Sequence, residues 1–197
     1  MKNSGGTSVL IVDDDPDVAE TYASQLGDDY DVTTTYSGRA GIAALDPSFD
    51  VVLLDRRMPD MSGNEVLETI RERGLEARVA MVTAEEPDFD IIEMPFDDYV
   101  RKPVGESDLK ETVAHLKRFV DYEEGVRQFY ALTAKRAALV GSKSESELAA
   151  SERFQALEEE IEATRRSLAD LTEGFDATDF DRAFMDIGRP QSPPRAD

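Results

Sequence analysis

Short apolar runs recur along the chain at 8–12, 51–54 and 78–82, with weaker strand-like stretches at 30–34 and 97–100 and helix-compatible sequence between them. Strand and helix alternate five times. The first three runs are continuously apolar rather than alternating, which is how strands covered on both faces read. The pattern therefore predicts an α/β fold: a doubly wound, five-stranded parallel sheet with helices on each side. After Pro103 it becomes purely helical. Leu109, Leu116, Phe119, Val126, Tyr130, Thr133, Ala137 and Val140 follow mostly three- and four-residue steps, predicting one helix that runs on to about residue 140 with a bend at Gly125. Residues 141–145 break it, and Ser144-x-x-Glu147 reads as a capping box opening a second helix. There Phe154, Leu157, Ile161, Thr164, Leu168, Leu171 and Phe175 are spaced 3, 4, 3, 4, 3 and 4, a heptad seam. Two helices joined by so short a turn are expected to fold back as an antiparallel hairpin or coiled coil. Its remaining apolar face is covered either by a second copy or by the chain's own α/β part.

In a doubly wound sheet, ligands sit beyond the carboxyl ends of the strands, so the residues just after 12, 54, 82 and 100 carry the chemistry. They are Asp13-Asp14-Asp15, Asp55, Thr83-Ala84 and Lys102-Pro103. One acidic residue after a strand ordinarily caps the next helix. Carboxylates, a hydroxyl and an ammonium converging from four strand ends do not form a capping pattern. Gathered carboxylates repel one another and need a hard cation; oxygen ligands of this kind suit Mg2+, which keeps open positions for phosphate oxygens. A carboxylate beside such a cation can attack phosphorus, with the lysine neutralising charge on the transferred group and the threonine hydroxyl bonding one of its oxygens. An EF-hand is excluded, because counting from Asp13 the sixth position is Val18 and the twelfth is Ser24 rather than Gly and Glu.

Composition narrows the choice further. There is no cysteine and a single histidine, His115, so thiolate and poly-histidine metal sites and cysteine nucleophiles are excluded. His115 falls in the helix after Pro103 and is expected at or near its surface; as the only histidine, it also rules out a phosphohistidine kinase domain in this chain. The 197 residues carry 43 Asp+Glu against 22 Lys+Arg, a formal charge of -21, with 16 Arg to 6 Lys. The acid excess is spread along the chain, as in proteins of salt-loving archaea. At 1 M salt the screening length is about 3 Å, so self-repulsion is largely cancelled, and DNA can be bound there without a strongly basic face. No signal peptide or membrane span is apparent, which predicts a cytoplasmic protein without a membrane partner.

Residues 7–120 resemble the response regulator receiver domain. The matching features are Val9-Leu-Ile-Val-Asp-Asp-Asp15, Asp55 followed by Met58-Pro59-Asp-Met-Ser-Gly63, Thr83-Ala84, and Tyr99-Val-Arg-Lys102-Pro103. A haloacid-dehalogenase-like phosphatase would account for the first motif only. The resemblance implies a flavodoxin-like sheet of strand order 2-1-3-4-5 and an Asp55 that accepts phosphate from the phosphohistidine of a sensor histidine kinase. It implies Mg2+ held by Asp13, Asp14, Asp55 and the Arg57 carbonyl, and phosphoryl contacts from Lys102, Thr83 and the Ala84 amide. Thr83 and Tyr99 would form a switch pair, the hydroxyl moving toward the phosphoryl group and the ring turning inward. On this reading the chain is not an enzyme beyond accepting and losing that group.

Two departures stand out. Pro87 and Pro95 bracket the segment between the fourth and fifth strands, so the helix expected there must be short or irregular, and the usual mode of receiver pairing cannot simply be carried over. Arg57 and Glu85, two residues past Asp55 and Thr83, flank the entrance to the phosphoryl group. They are expected either to pair and slow attack by water or to be two exposed charges of little mutual effect.

Residues 121–185 resemble the HalX domain found behind receivers in haloarchaea, through Phe129-Tyr130-x-Leu132-x3-Arg136 and Leu157-x3-Ile161. The expected organisation is a receiver over 1–120, a helical effector over 121–188 in which Phe180, Phe184, Met185 and Ile187 form a short docking helix, and a disordered tail over 189–197. The expected output is transcriptional regulation through DNA, with homodimers forming on phosphorylation. The alternative is a protein-interaction adaptor that does not touch DNA.

Overall fold

The computed structural model describes residues 6–173, so Phe175, the docking helix and the tail lie outside the described residues. The chain separates into two compact units, Met1–Val120 and Asp121–Asp197.

The first unit is built on β1 (Ser8–Val12), β2 (Asp31–Thr35), β3 (Val51–Leu54), β4 (Arg78–Thr83) and β5 (Asp98–Arg101), all parallel in the order β2-β1-β3-β4-β5. This is the predicted sheet. Side chains alternate across each strand, and the two faces make two cores. On one, Val9, Ile11, Val51, Leu53, Ala80 and Val82 meet Ala19, Tyr22 and Leu26 of α1 (Pro16–Leu26) and Leu109, Val113 and Leu116 of α4 (Glu106–Val140). On the other, Leu10, Val12, Val52, Leu54, Val79 and Met81 meet Val66, Leu67 and Ile70 of α3 (Gly63–Glu72), alongside Ile42 and Ala44 of α2 (Gly38–Ala44). The three central strands are buried on both faces, which is why they read as continuous apolar runs. The edge strands β2 and β5 keep partly exposed positions and read more weakly.

Between β4 and β5 there is only a five-residue 3-10 turn, Phe89–Glu93, as the bracketing prolines required. His115 is more enclosed than expected, only 9% exposed. Its ring meets the edge of Phe119 at 5.0 Å, and Nδ1 lies 3.9 Å from Asp98 Oδ2.

In the second unit, the later part of α4 is followed by α5 (Glu145–Ala149) and α6 (Glu152–Glu173). Antiparallel pairing shows in contacts whose numbers rise on one helix as they fall on the other. A Cβ on Gly125 would meet Leu168 at 2.8 Å, Gln128 Nε2 donates to Glu160 at 3.2 Å, and Arg136 Nε donates to Glu158 at 2.6 Å. The heptad positions from Phe154 to Leu171 are the covered face of α6, with Thr164 buried.

Helix α4 runs on to Val140 as predicted, and at Gly125 the missing side chain admits Leu168. Two sequence expectations need correction. The Ser144 capping box is present but opens only the short α5; Ser151 then accepts from the Phe154 amide at 3.3 Å and starts α6 separately. Nor does the α4 seam pass through Tyr130, Ala137 and Val140, all exposed. From Val126 the covered stripe takes a three-residue step to Phe129 and continues to Leu132, which is 4% exposed while Tyr130 is 71% exposed.

At the amino-terminal edge of the sheet, Asp97 collects Arg71 Nη2 and Arg78 Nη1, each at 2.7 Å, and the Val79 amide at 2.7 Å. Arg71 also donates to the Ala77 and Pro95 carbonyls, so one carboxylate locks α3, β4 and the entry to β5 together. Its side chain is 14% exposed, so neutralising it removes a shielded negative charge that both guanidinium groups share. Asp97→Asn is expected to lower unfolding free energy by about 3 kcal/mol, measured by denaturant titration at constant high salt.

Candidate phosphoacceptor and metal site

Parallel strands bring their carboxyl ends to one edge, and the chain places its polar residues there. Asp13 leaves β1 with its amide bonded to the Thr35 carbonyl at 3.1 Å, and Asp55 leaves β3 with its amide on the Val12 carbonyl at 2.8 Å. Their carboxylates are nearly enclosed, at 3% and 9% exposure, while Asp14 is open to solvent. Carboxylate oxygens of Asp13, Asp14 and Asp55 all lie within 4.8 Å of one another. Asp15 does not join them. Its Oδ1 accepts from the Asp17 amide at 3.0 Å and the Val18 amide at 3.4 Å, so it is the amino-terminal cap of α1.

From the far edge, Lys102 reaches across, its Nζ 2.6 Å from Asp13 Oδ2 and 3.2 Å from Asp55 Oδ2. Burial alone would lower the pKa of this ammonium. The hydrogen bond to Asp13 and the charges of Asp55 and Asp13 outweigh burial and hold it above the usual lysine value. Lys102 is set in place by its own amide, which donates to the Thr83 carbonyl at 2.8 Å, and is followed by a cis peptide to Pro103. Thr83 is 1% exposed and its Oγ1 accepts from the Glu85 amide at 3.3 Å; Ala84, between them, faces solvent. Three carboxylates against one ammonium leave two negative charges uncompensated. An all-oxygen donor set of that charge fits a hard divalent cation, with Asp13, Asp14 and Asp55 as its holders.

The loop after Asp55 is fastened at several points. The Gly63 amide donates to the Arg56 carbonyl at 2.9 Å, and a Cβ on Gly63 would stand 2.2 Å from the Asp55 carbonyl oxygen. Ser62 and Glu65 form the capping box of α3. Asp60 accepts from the Gly38 and Arg39 amides at the start of α2, each at 3.3 Å; desolvation pushes its pKa up, but these backbone donors outweigh it and hold it below the ordinary value.

Of the predicted site residues, the structure thus gathers Asp13, Asp14, Asp55 and Lys102 in one crevice, with Thr83 and Ala84 at the adjoining strand end. Tyr99 does not reach the carboxylates. Its ring is half-buried beside Phe96 and its hydroxyl donates to the Glu85 carbonyl at 3.2 Å. Arg57 and Glu85 are paired, and the Arg57 side chain is 80% exposed. Arg56 went unnoticed in the sequence. Its guanidinium is only 12% exposed and pairs with Glu85 Oε2 at 3.1 Å and with Asp90. Nothing local distinguishes Arg56 from Arg57, and a partner 34 residues away is decided by the fold.

Three carboxylates and an ammonium thus stand together at the carboxyl edge of a doubly wound sheet. The response regulator receiver domain family matches residues 9–114 and the HalX domain family matches 118–184. The chain belongs to the response regulator receiver family, with a HalX domain behind the receiver. It is 51% identical over 158 residues to a Haloferax volcanii protein named "Putative transcriptional regulator", covering 80% of this chain and 27% of that protein. It is 34% identical over 109 residues to the response regulator SaeR of Staphylococcus aureus, covering 52% of this chain and 47% of SaeR. The chain therefore spans less than half the length of either relative. Among solved structures it is similar to the response regulator TrrA of Thermotoga maritima in complex with Mg(2+)-BeF, with 30% identity, a TM-score of 0.50, and coverage of 56% of this chain and 98% of that one.

Gly63→Ala drives a Cβ into the Asp55 backbone and must displace the loop. Divalent-cation affinity, measured by calorimetric titration with Mg2+, is expected to fall at least about tenfold, with the unfolding transition still cooperative.

Proposed function

We propose that Asp55 accepts a phosphoryl group from the phosphohistidine of a partner sensor histidine kinase. The observation that carries this reading is the Lys102 ammonium bridging Asp13 and Asp55 beside a third carboxylate. An Asp55 carboxylate oxygen forms a bond to phosphorus as the bond to the kinase imidazole nitrogen breaks, leaving an acyl phosphate and a neutral imidazole. Asp13, Asp14, Asp55 and the Arg57 carbonyl would hold Mg2+, which would neutralise the phosphoryl oxygens. Lys102 turns part of its charge to the transferred group, and Thr83 Oγ1 and the Ala84 amide donate to its oxygens. Tyr99 follows Thr83 in the switch. The chain itself performs no other chemistry.

The consequence is a change of state passed to the helical unit, which regulates transcription in the cytoplasm as a homodimer on DNA. The name of the Haloferax volcanii relative and the HalX match support this output. Residues 121–175 favour a second reading, a protein-binding adaptor, because their seven basic side chains face twelve acidic ones. Among the described residues, no helix is long and apolar enough to cross a membrane.

Capture of sheared genomic DNA in molar KCl with Mg2+ and beryllofluoride separates the two. Particular promoters are expected to be enriched by the wild-type chain and lost in Asp55→Asn. Beryllofluoride binding without any enrichment would instead favour the adaptor. The Arg57–Glu85 pair shields the acyl phosphate from water, so Arg57→Ala is expected to speed dephosphorylation by about three- to tenfold, a barrier change of about 1 kcal/mol. An unchanged rate, followed by release of labelled phosphate, refutes the shielding role.

A further inference from the structure

In the second unit, α4 carries two apolar stripes. One, through Phe129 and Leu132, lies under α6, where Gly125 admits Leu168. The other runs through Val126, Tyr130, Thr133, Ala137 and Val140, spaced 4, 3, 4 and 3 residues apart, and lies to one side of that contact. Tyr130 is 71% and Val140 48% exposed, Ala137 is exposed, and Val126 and Thr133 are half-buried. The Thr133 hydroxyl donates to the Phe129 and Tyr130 carbonyls at 2.8 and 3.0 Å. It is satisfied on its own helix, so covering the stripe there strands no polar group. The hairpin is also thinly packed: among its described residues only Leu132 and Thr164 are buried. Two helices form a single layer, and a core needs a second layer against it.

We infer that the Val126–Val140 stripe is covered by the same stripe of a second copy, the two helices running antiparallel across a twofold axis at Thr133. A four-three spacing held from Val126 to Val140 keeps one apolar line, about 21 Å long, turned toward a partner helix. Charge selects a copy of this chain and the direction in which it lies. Residues 121–129 set Asp121, Glu123 and Glu124 against Arg127, while 130–140 hold Lys135 and Arg136 and no carboxylate. Antiparallel pairing brings the negative half of each helix to the positive half of the other; parallel pairing sets like on like. In molar salt this pattern decides direction, and covering Tyr130, Ala137 and Val140 supplies the affinity. The register of Gly125 on Leu168 and of Arg136 on Glu158 sets Glu173, the last described residue, beside the start of this unit. Val140 lies about 30 Å along α4 from there. The rest of the chain therefore begins at the end of the hairpin away from Ala137 and Val140. The pairing goes beyond the phosphoacceptor reading and does not depend on it, because no residue of the crevice takes part.

Sedimentation equilibrium of the full chain in molar KCl, with neither Mg2+ nor beryllofluoride added, tests the pairing. A mass of twice the 21.9 kDa chain is expected. Tyr130→Glu sets a carboxylate from each copy into the seam and is expected to raise the dissociation constant at least about tenfold. Ala131→Glu, on the outer side of the same turn, leaves it unchanged. Helix content, followed by circular dichroism, is expected to be the same in all three. Because the chain has no cysteine, single introduced thiols report the direction. On oxidation, Thr133→Cys is expected to link to its own counterpart. Val126→Cys and Val140→Cys are expected to link to each other when mixed, and neither to itself. If Tyr130→Glu loses helix content, the thiol pattern decides alone. A wild type that stays at the single-chain mass overturns the proposal, and slow maleimide labelling of Val140→Cys in that monomer assigns the stripe to the chain's own residues. A dimer that folded Tyr130→Glu leaves intact is held elsewhere and overturns it too. Self-linking of Val126→Cys overturns the antiparallel arrangement.

Discussion

Three carboxylates crowded at one edge of a parallel sheet repel one another, and Lys102 is the positive charge that lets them stand together. Its ammonium touches two of them while its amide is bonded to the Thr83 carbonyl, so the ends of β1, β3, β4 and β5 meet through one residue. The arrangement is under-neutralised by design of charge count. Two negative charges remain, an excess that a hard divalent cation could balance. The elevated pKa of Lys102 reflects the same balance, since the attraction of the carboxylates exceeds the cost of enclosing the ammonium.

The rest of the first unit keeps that edge in register. Two apolar layers fix the strands, and the loop after Asp55 is fastened by Gly63, by the capping box of α3 and by Asp60 on the start of α2. At the opposite edge, Asp97 gathers two arginines, closing the bottom of β4 and β5 with ion pairs. The two ends of the sheet thus carry opposite arrangements: one carboxylate shared by two cations at the bottom, and three carboxylates around one cation at the top.

The helical unit rests on different physics. Its ion pair between Arg136 and Glu158 is exposed on both sides, at 47% and 40%, and in molar salt such a pair contributes little. Stability there comes from the seam of Leu132 with Leu157, Ile161, Thr164 and Leu168, helped by Gly125, where the missing side chain lets Leu168 approach. An acidic surface and an apolar seam are compatible because high salt silences the repulsion while leaving apolar burial intact.

Much of this was legible in the residues themselves. Continuous apolar runs mark strands covered on both faces, and a carboxylate, hydroxyl or ammonium placed after each such run marks the site, because parallel strands must deliver those positions to one edge. Asp13, Asp14, Asp55, Thr83 and Lys102 could be named for that reason, and Pro87 and Pro95 ruled out a full helix between them. The covered face of α4 beyond Phe119 could not be read in the same way, since Phe129 and Tyr130 are equally good candidates until α6 lies against one of them. The split of the second helix at Ser151 was hidden by an intact capping box seven residues earlier. Arg56 was invisible because a guanidinium's partners, Glu85 and Asp90, are brought to it only by the packing of β4 and the turn beyond. Periodicity determines which residues are covered and which strand ends converge; only tertiary structure decides which of two neighbouring side chains finds a distant partner, because that choice is made by distance in space and not along the chain.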